Sequence, residues 1–434
     1  MLASRAAAAV VLLLPVAATA AIATAETPPP LLYIVKPGDT LIDLANRALV
    51  RPQDWRQVAR LNHVAGPRRL PVGKALTIPA ALLRRESLTA TIAAFSGQVT
   101  LAPGSAARIG AAIPAGTVLA TGANSFVTLA LADGSRVTLP SQSRIRVAAL
   151  DRIVIDGRLE RRFELLAGRS DFGVTPRERE ADRFLVTTPV AVAAVRGTEF
   201  RVAFDGDRVA LGVIEGVVAG RPVLQHDDNL IASGSGAVLT HDGDHPAKLL
   251  PAPALLDPGR AQADPAVVLK LAPGTGARRR VQLARDAGFI ELFTETEAAG
   301  DTASFEGIGN GTLYARLTAI DAEGVEGLPA SYQFERFQSG LAATAGGLPG
   351  KPRRTRFRWQ PSGEGSRSYD FVLARDAALA DRIIDAPALA STEMTVSSLA
   401  PGTWYWRVTV TAIDAGKRHV RVLPVQTLTI ARPH

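Results

Sequence analysis

Three segments toward the C-terminal side of the chain occur twice, in the same order and at nearly constant spacing. Leu283-Ala284-Arg285-Asp286-Ala287 returns as Leu373-Ala374-Arg375-Asp376-Ala377, an offset of 90 residues. Gly311-Thr312-Leu313-Tyr314-Ala315-Arg316 returns as Gly402-Thr403-Trp404-Tyr405-Trp406-Arg407 at 91, and Thr318-Ala319-Ile320-Asp321 as Thr411-Ala412-Ile413-Asp414 at 93. A fixed period of that size marks a duplicated folding unit. Within each copy apolar and aromatic residues alternate with polar ones, the period of a strand that buries one face. The chain therefore contains two successive all-β units. Residues 340–352, with Gly346-Gly347 and Pro349-Gly350-Lys351-Pro352, read as the spacer between them.

The same alternation runs from Ala90 to about Gly220. Phe126-Val127-Thr128-Leu129-Ala130-Leu131, then Asp133-Gly134, then Arg136-Val137-Thr138-Leu139 is a hairpin signature. Asp156-Gly157 and Asp205-Gly206 punctuate similar runs, and no long helical period interrupts them. Residues 221–262 read as a β extension and a Pro-rich linker holding Pro246, Pro251, Pro253 and Pro258. A chain of 434 residues has room for three or four such domains.

The N-terminal region differs. Arg5 is the only charge before Glu26, and Ala6 to Ala18 is an apolar run around Val10-Val11-Leu12-Leu13-Leu14. Ala18-Thr19-Ala20 and Ala23-Thr24-Ala25 fit a small-x-small cleavage pattern, so residues 1–25 read as a secretory signal peptide. The alternative is a membrane anchor, but the run is short of the roughly 20 residues that span a bilayer. No integral span is expected after cleavage. Glu26-Thr27-Pro28-Pro29-Pro30 is a stiff spacer. Tyr33-Ile34-Val35 then reads as a strand and Pro37-Gly38-Asp39-Thr40 as a turn that can cap a helix. Leu41, Leu44, Ala45 and Ala48 fall at helical spacing. A second helix starts at Pro52-Gln53-Asp54, with Trp55, Val58, Ala59 and Leu61 on its apolar face. Pro71-Val72-Gly73-Lys74 is a turn, and Ala75 to Pro79 a closing strand.

Tyr33-x-Val35-x-Pro37-Gly38-Asp39-Thr40-Leu41, Leu61-Asn62, and Leu70-x-Val72-Gly73-x-x-Leu76-x-Ile78-Pro79 together resemble a LysM domain. The interhelix segment Arg51-Pro52-Gln53-Asp54-Trp55 and the stretch from His63 to Arg69 are fuller than the common pattern. Farther on, Thr187-Thr188-Pro189, Val195-Arg196-Gly197-Thr198-Glu199-Phe200 and Glu215-Gly216-Val217-Val218 resemble the FecR-type domain. The duplicated units are similar to immunoglobulin or fibronectin type III sandwiches. The expected architecture is thus mainly β and multidomain. It comprises a signal peptide (1–25), a small βααβ LysM domain (26–82), an all-β FecR-type domain (90–220) and the β extension and linker (221–262). Two immunoglobulin/fibronectin-like β-sandwiches follow, at 263–338 and 352–434.

The LysM resemblance implies that the chain binds peptidoglycan, an N-acetylglucosamine-containing glycan. The groove would be built from Gly38, Asp39, Thr40, Leu41, Asn62 and Pro71. A loop at a helix start also offers free N–H groups to N-acetyl oxygens. The plainer reading makes Gly38 a turn residue and Asp39 an N-cap. In the FecR motif, Pro189, Arg196, Gly197, Thr198, Glu199 and Phe200 are either an interface or a buried structural turn. In the latter, Gly197 permits a close approach while Arg196 and Glu199 pair or satisfy backbone.

His241-Asp242-Gly243-Asp244-His245 holds metal-ligand residue types, but an Asp-Gly-Asp turn is ordinary, and neither a metal nor a cofactor is expected. Trp404 and Trp406 share one strand face and Tyr405 the other; core packing is the default reading over a sugar-binding ladder. With no cysteine, disulfides, thiol catalysis and lipoprotein acylation are excluded. Neither a His-Glu-x-x-His zinc pattern nor a Gly-x-Ser-x-Gly elbow occurs, so no catalytic residue is assigned. The net charge of +8 suits acidic wall polymers or lipid headgroups, or is a mere bias of composition. An exported chain meets no nucleic acid. The expected role is a non-enzymatic protein of the periplasm or cell envelope that binds peptidoglycan and contacts a protein partner. A FecR-like signal-transduction regulator and a peptidoglycan hydrolase are the alternatives.

Overall fold

The structure is a computed structural model that describes residues 30–176, 182–195, 197–348 and 351–431. For Ser105 and residues 351–353 it describes the backbone alone. The expected signal peptide and Arg196 lie outside the described residues. The chain divides into two compact units, residues 1–84 and 85–434. It is mostly β, and among the described residues helices occur in the first unit alone.

In the first unit, strands Leu31–Ile34 and Ala75–Ile78 pair antiparallel, with Leu31 opposite Ile78 and Ile34 opposite Ala75. Leu31, Tyr33 and Val35 point inward; Leu32 and Ile34 point out. Between the strands lie helices Leu41–Ala48 and Trp55–Leu61, the second led in by a short 3-10 turn, Pro52–Asp54. Helices this short are marginal alone, so packing holds them. Leu41, Leu44, Ala45 and Ala48 of the first meet Val58 and Ala59 of the second in the core. Leu61 departs from the sequence reading: it is the last residue of its helix and is half exposed.

The second unit opens with a closed barrel of strands between Arg85 and Lys248 around one core. Asp133-Gly134, Asp156-Gly157 and Asp205-Gly206 all lie between antiparallel neighbours. The long strand Leu159–Gly173 belongs to two sheets in turn. Residues 159–167 pair with Arg144–Ile153, and residues 168–173 pair with Glu199–Phe204. Segment 221–262 is not all connection. Asn229–Ala232 and Ser235–Thr240 pair with barrel strands, and Asp244–Lys248 extends the second sheet. Pro246 sits in that last strand, which pairs on one side.

Each repeat is a two-sheet sandwich. In the first, the sheet Leu292–Ala298, Arg278–Ala284, Gly311–Ile320, Ala330–Arg336 shares a core with the pair Val267–Lys270 and Thr302–Phe305. In the second, Arg382–Leu389, Ser366–Ala374, Gly402–Asp414 and Lys417–Val422 form one sheet, with Gln426–Ile430 also on the Gly402 strand. The other sheet is Gly340–Leu348, Lys351–Ser362 and Glu393–Ser397. The expected spacer is thus largely a strand. Of its inward residues Leu341, Ala343 and Ala345, two are small, and Gly346-Gly347 mimics a linker, so its alternation is faint.

The duplicated Arg-Asp-Ala segment has a common role. Asp286 accepts the N–H groups of Ile290 and Glu291, and Asp376 those of Ala380 and Asp381. The same capped turn lets Phe289 and Leu379 take matching positive φ values of 54° and 55°. Trp404 and Trp406 are buried in the second core, Trp406 against Phe357 and Phe371. His241 and His245 are exposed at a hairpin.

Candidate functional site

In the first unit, two loops meet. The Leu41 N–H donates to the Pro67 carbonyl at 2.8 Å, and the Gly73 N–H to Val35 O at 2.9 Å. These bonds hold loop 36–40 beside loop 63–73. Gly38 turns the first loop with φ +86°, and Gly73 the second with φ +84°, both values that suit glycine.

The helix cap is Thr40, not Asp39. Thr40 Oγ1 accepts the Asp43 N–H at 3.0 Å and donates to the Asp43 carboxylate at 2.6 Å. Asp39 instead fastens its loop to the strand. Its carboxylate accepts from the Tyr33 hydroxyl (2.7 Å), the Lys36 N–H (2.8 Å) and Arg47 (2.7 Å). Burial pushes its pKa up, but these hydrogen bonds and the Arg47 charge outweigh that and hold it below the usual carboxylate range. The Tyr33 phenol is pushed up by burial and by the same Asp39.

Asn62 is equally committed. Its amide donates to Val58 O and Thr77 O and accepts the Thr77 N–H, pinning the second helix to the last strand. Leu41 is core. Of the six sequence-derived residues, Asp39, Leu41 and Asn62 are therefore held by the fold itself. Gly38, Thr40 and Pro71 stay at the loop surfaces, with exposed Val72 next to Pro71. Among the described residues the N–H groups of Gly38, Thr40 and Ile42 have no protein acceptor. Backbone donors beside a small apolar side chain can engage an acetamido group.

The second sequence-derived constellation is mostly internal. Thr188 Oγ1 accepts the N–H groups of Val190 and Ala191, leaving Pro189 exposed in the turn. Strand Ala191–Val195 pairs on both sides, with Arg183–Thr187 and Val217–Pro222. Gly197 has φ +61°, and a Cβ there would lie 2.8 Å from Pro176 Cα. Thr198 is buried, and Phe200 stacks on Phe172 with ring centroids 4.8 Å apart. Glu199 is exposed, and its expected partner Arg196 lies outside the described residues. Among the described residues of this motif, Pro189 and Glu199 are the exposed ones. Gly197→Val should lower the melting temperature of the full chain by several degrees, an effect of about 2–4 kcal/mol from φ strain and overpacking. Differential scanning calorimetry checks this; an unchanged melting temperature would contradict the structural role.

Sequence reading missed how the first sandwich is fixed to the barrel. Arg280 binds Glu295 at 2.6 Å and Glu326 at 2.9 Å, and Thr318 donates to Glu326 at 2.6 Å. From the barrel, Arg201 donates to Gly327 O at 3.0 Å and lies 3.4 Å from Glu326. Arg316 binds Asp171 at 2.8 Å. Three arginines thus balance three carboxylates. Apolar contacts flank them: Phe126 with Phe289 and Leu292, and Ala210 and Val238 with Val325. Gly212 and Gly236 are register partners on adjacent barrel strands. A Cβ at Gly212 would lie 2.9 Å from Glu326 O, and one at Gly236 2.9 Å from Val325 Cγ1. Two glycines side by side in a sheet were the available signal, since they mark close backbone approach.

The LysM domain model matches residues 33–79, and the FecR protein model matches residues 117–219. No curated protein matches the chain. A crystal structure described as a candidate anti-sigma factor from Parabacteroides distasonis is similar at 18% identity and TM-score 0.25; the match covers 30% of this chain and 59% of that one. The chain thus spans less than two thirds of that structure. A two-domain fibronectin type III segment of chicken tenascin is similar at 11% identity and TM-score 0.21, covering 42% of this chain and 100% of that one. The first unit thus holds a LysM match and the second a FecR match, followed by a duplicated two-sheet sandwich.

Proposed function

We propose that this is an exported cell-envelope protein that binds peptidoglycan through residues 31–80, meets a protein partner through its FecR domain, and catalyses nothing. The observation that carries the reading is the pair of bonded loops in the LysM domain, with the free N–H groups of Gly38, Thr40 and Ile42 at their junction. The glycan contacts on this reading are Gly38, Thr40 and Pro71. Asp39 and Asn62 act by holding the loops. Among the described residues no helix is long and apolar enough to cross a membrane.

The full chain should co-sediment with purified peptidoglycan, and removal of residues 31–80 should reduce the pelleted fraction to background. Binding should survive about 1 M salt, where charges are screened beyond about 3 Å. Equal sedimentation without residues 31–80, or loss of binding in salt, would count against the groove. New soluble muropeptides above a heat-denatured control would instead indicate a hydrolase. The match to the FecR protein model favours a second reading, a periplasmic regulator in signal transduction. On that reading, deleting the FecR domain changes transcription of envelope genes while peptidoglycan binding stays intact.

A further inference from the structure

The net positive charge is unevenly placed. Residues 1–84 carry 10 Lys and Arg against 4 Asp and Glu, and residues 351–434 carry 13 against 7. Residues 85–350 between them carry 26 against 30. A general bias toward basic residues would not leave the longest segment acidic.

Much of the C-terminal excess stands on one sheet face. In the sheet Gly340–Leu348, Lys351–Ser362, Glu393–Ser397, the outward residues of the central strand include Arg354, Arg356 and Arg358. Their inward neighbours Phe357 and Trp359 are buried in the core. Opposite the arginines stand short side chains, apart from Glu393 across from Arg358. Arg358 is paired with Thr344, Arg356 with Gly346 and Thr395, and Arg354 with Ser397. The one acid in the row is Glu393, 3.4 Å from Arg358 and 4.0 Å from Arg356. Arg354 is exposed and has no ion pair among the described residues.

The duplication supplies an internal control. At the offset of 90 residues, Phe357 and Trp359 correspond to Val267 and Leu269, buried likewise in the first sandwich. The three arginines correspond to Asp264, Ala266 and Val268. The fold therefore does not require the row. Like charges two residues apart on a strand stand about 7 Å from one another and repel.

We propose that this face docks a linear polyanion bearing phosphate groups on successive units. Guanidinium groups bind phosphate through paired N–H donors. A row about 13 Å long, flanked by Gly346, Thr344, Thr395 and Ser397, lets an extended chain lie along the strand. A membrane surface fits less well, because none of these outward residues is an apolar anchor.

The test uses the full chain, end-labelled long-chain inorganic polyphosphate and fluorescence anisotropy. The triple variant R354Q/R356Q/R358Q should weaken binding by about tenfold or more and flatten its dependence on salt. R354K/R356K/R358K, which keeps the charge, should stay within about threefold. A control that removes as much charge from the LysM domain, R56Q/R60Q/R68Q, should also stay within about threefold. If the glutamine triple fails to fold by circular dichroism, Arg354→Gln alone should weaken binding by about threefold. Parental binding by the glutamine variants, or equal loss in the LysM control, would overturn the proposal. Binding to phosphatidylglycerol vesicles but not to polyphosphate would overturn it in favour of a lipid surface. None of these outcomes depends on peptidoglycan binding.

Discussion

Glu326→Ala should destabilise the second unit by about 3–5 kcal/mol, the range for removing one partner of a buried ion pair. The reason is what it leaves behind. Arg280 is 1% exposed and keeps Glu295 alone, and Arg201 loses its nearest carboxylate. Thr318 loses its acceptor. Burial pushes the Glu326 carboxyl up, but Arg280 and then Arg201 outweigh it and hold it far below the usual carboxylate range. A depressed folded-state pKa means stability that is fully present above about pH 4.5 and lost as pH falls from there toward the folded value. Urea unfolding of parent and variant at neutral pH, and again near pH 3, checks both statements. The gap between them should narrow in acid, and an equal gap at both pH values would refute the electrostatic account.

This network has a consequence for any partner of the FecR domain. The barrel face around Asp171, Arg201, Gly212 and Gly236 is occupied by the first sandwich. A partner that binds the docked form must use other surfaces, such as the exposed Pro189 turn or Glu199.

What could be read from the sequence was local or repeated. The Asp-Gly hairpins were legible because a tight turn needs particular residues at adjacent positions. The duplicated sandwich was legible because the same capped turn and the same strand pattern are written twice. The docking network was not. Arg278-Arg279-Arg280 looks like a solvated basic run, yet Arg280 is buried. Its neighbours Arg201 and Glu326 lie far apart in sequence and meet through the fold alone. The LysM residues show the same limit. Asp39 and Asn62 were recognisable as fixed elements, but sequence could not say that their side chains face inward to Tyr33, Arg47 and Thr77. The strand Gly340–Leu348 was hidden for a compositional reason, since glycine and alanine carry little alternation to detect.

Gly168→Ala should cost about 2–5 kcal/mol, combining strain at an unsuited φ with overpacking. Gly168 is where strand Leu159–Gly173 leaves one barrel sheet for the other: Ala167 still pairs with Arg144, while Gly168 pairs with Phe204. Its φ is +76°, and a Cβ would lie 2.5 Å from Ser143 Oγ and 2.6 Å from Gln142 O. Ser143 cannot yield easily. It is buried, its hydroxyl donates to Ser141 O, and it accepts the Arg169 N–H. Gly173, five residues on in the same strand, is the matched control. It has no positive φ, and a Cβ there meets nothing within 4 Å. Gly173→Ala should therefore change stability by less than about 0.5 kcal/mol. Both variants remove one strand glycine and add one methyl group, so composition and strand propensity cancel between them. A large difference in unfolding free energy in urea would place the effect at the sheet crossover, whereas equal losses would mean that the strand merely tolerates no added side chain.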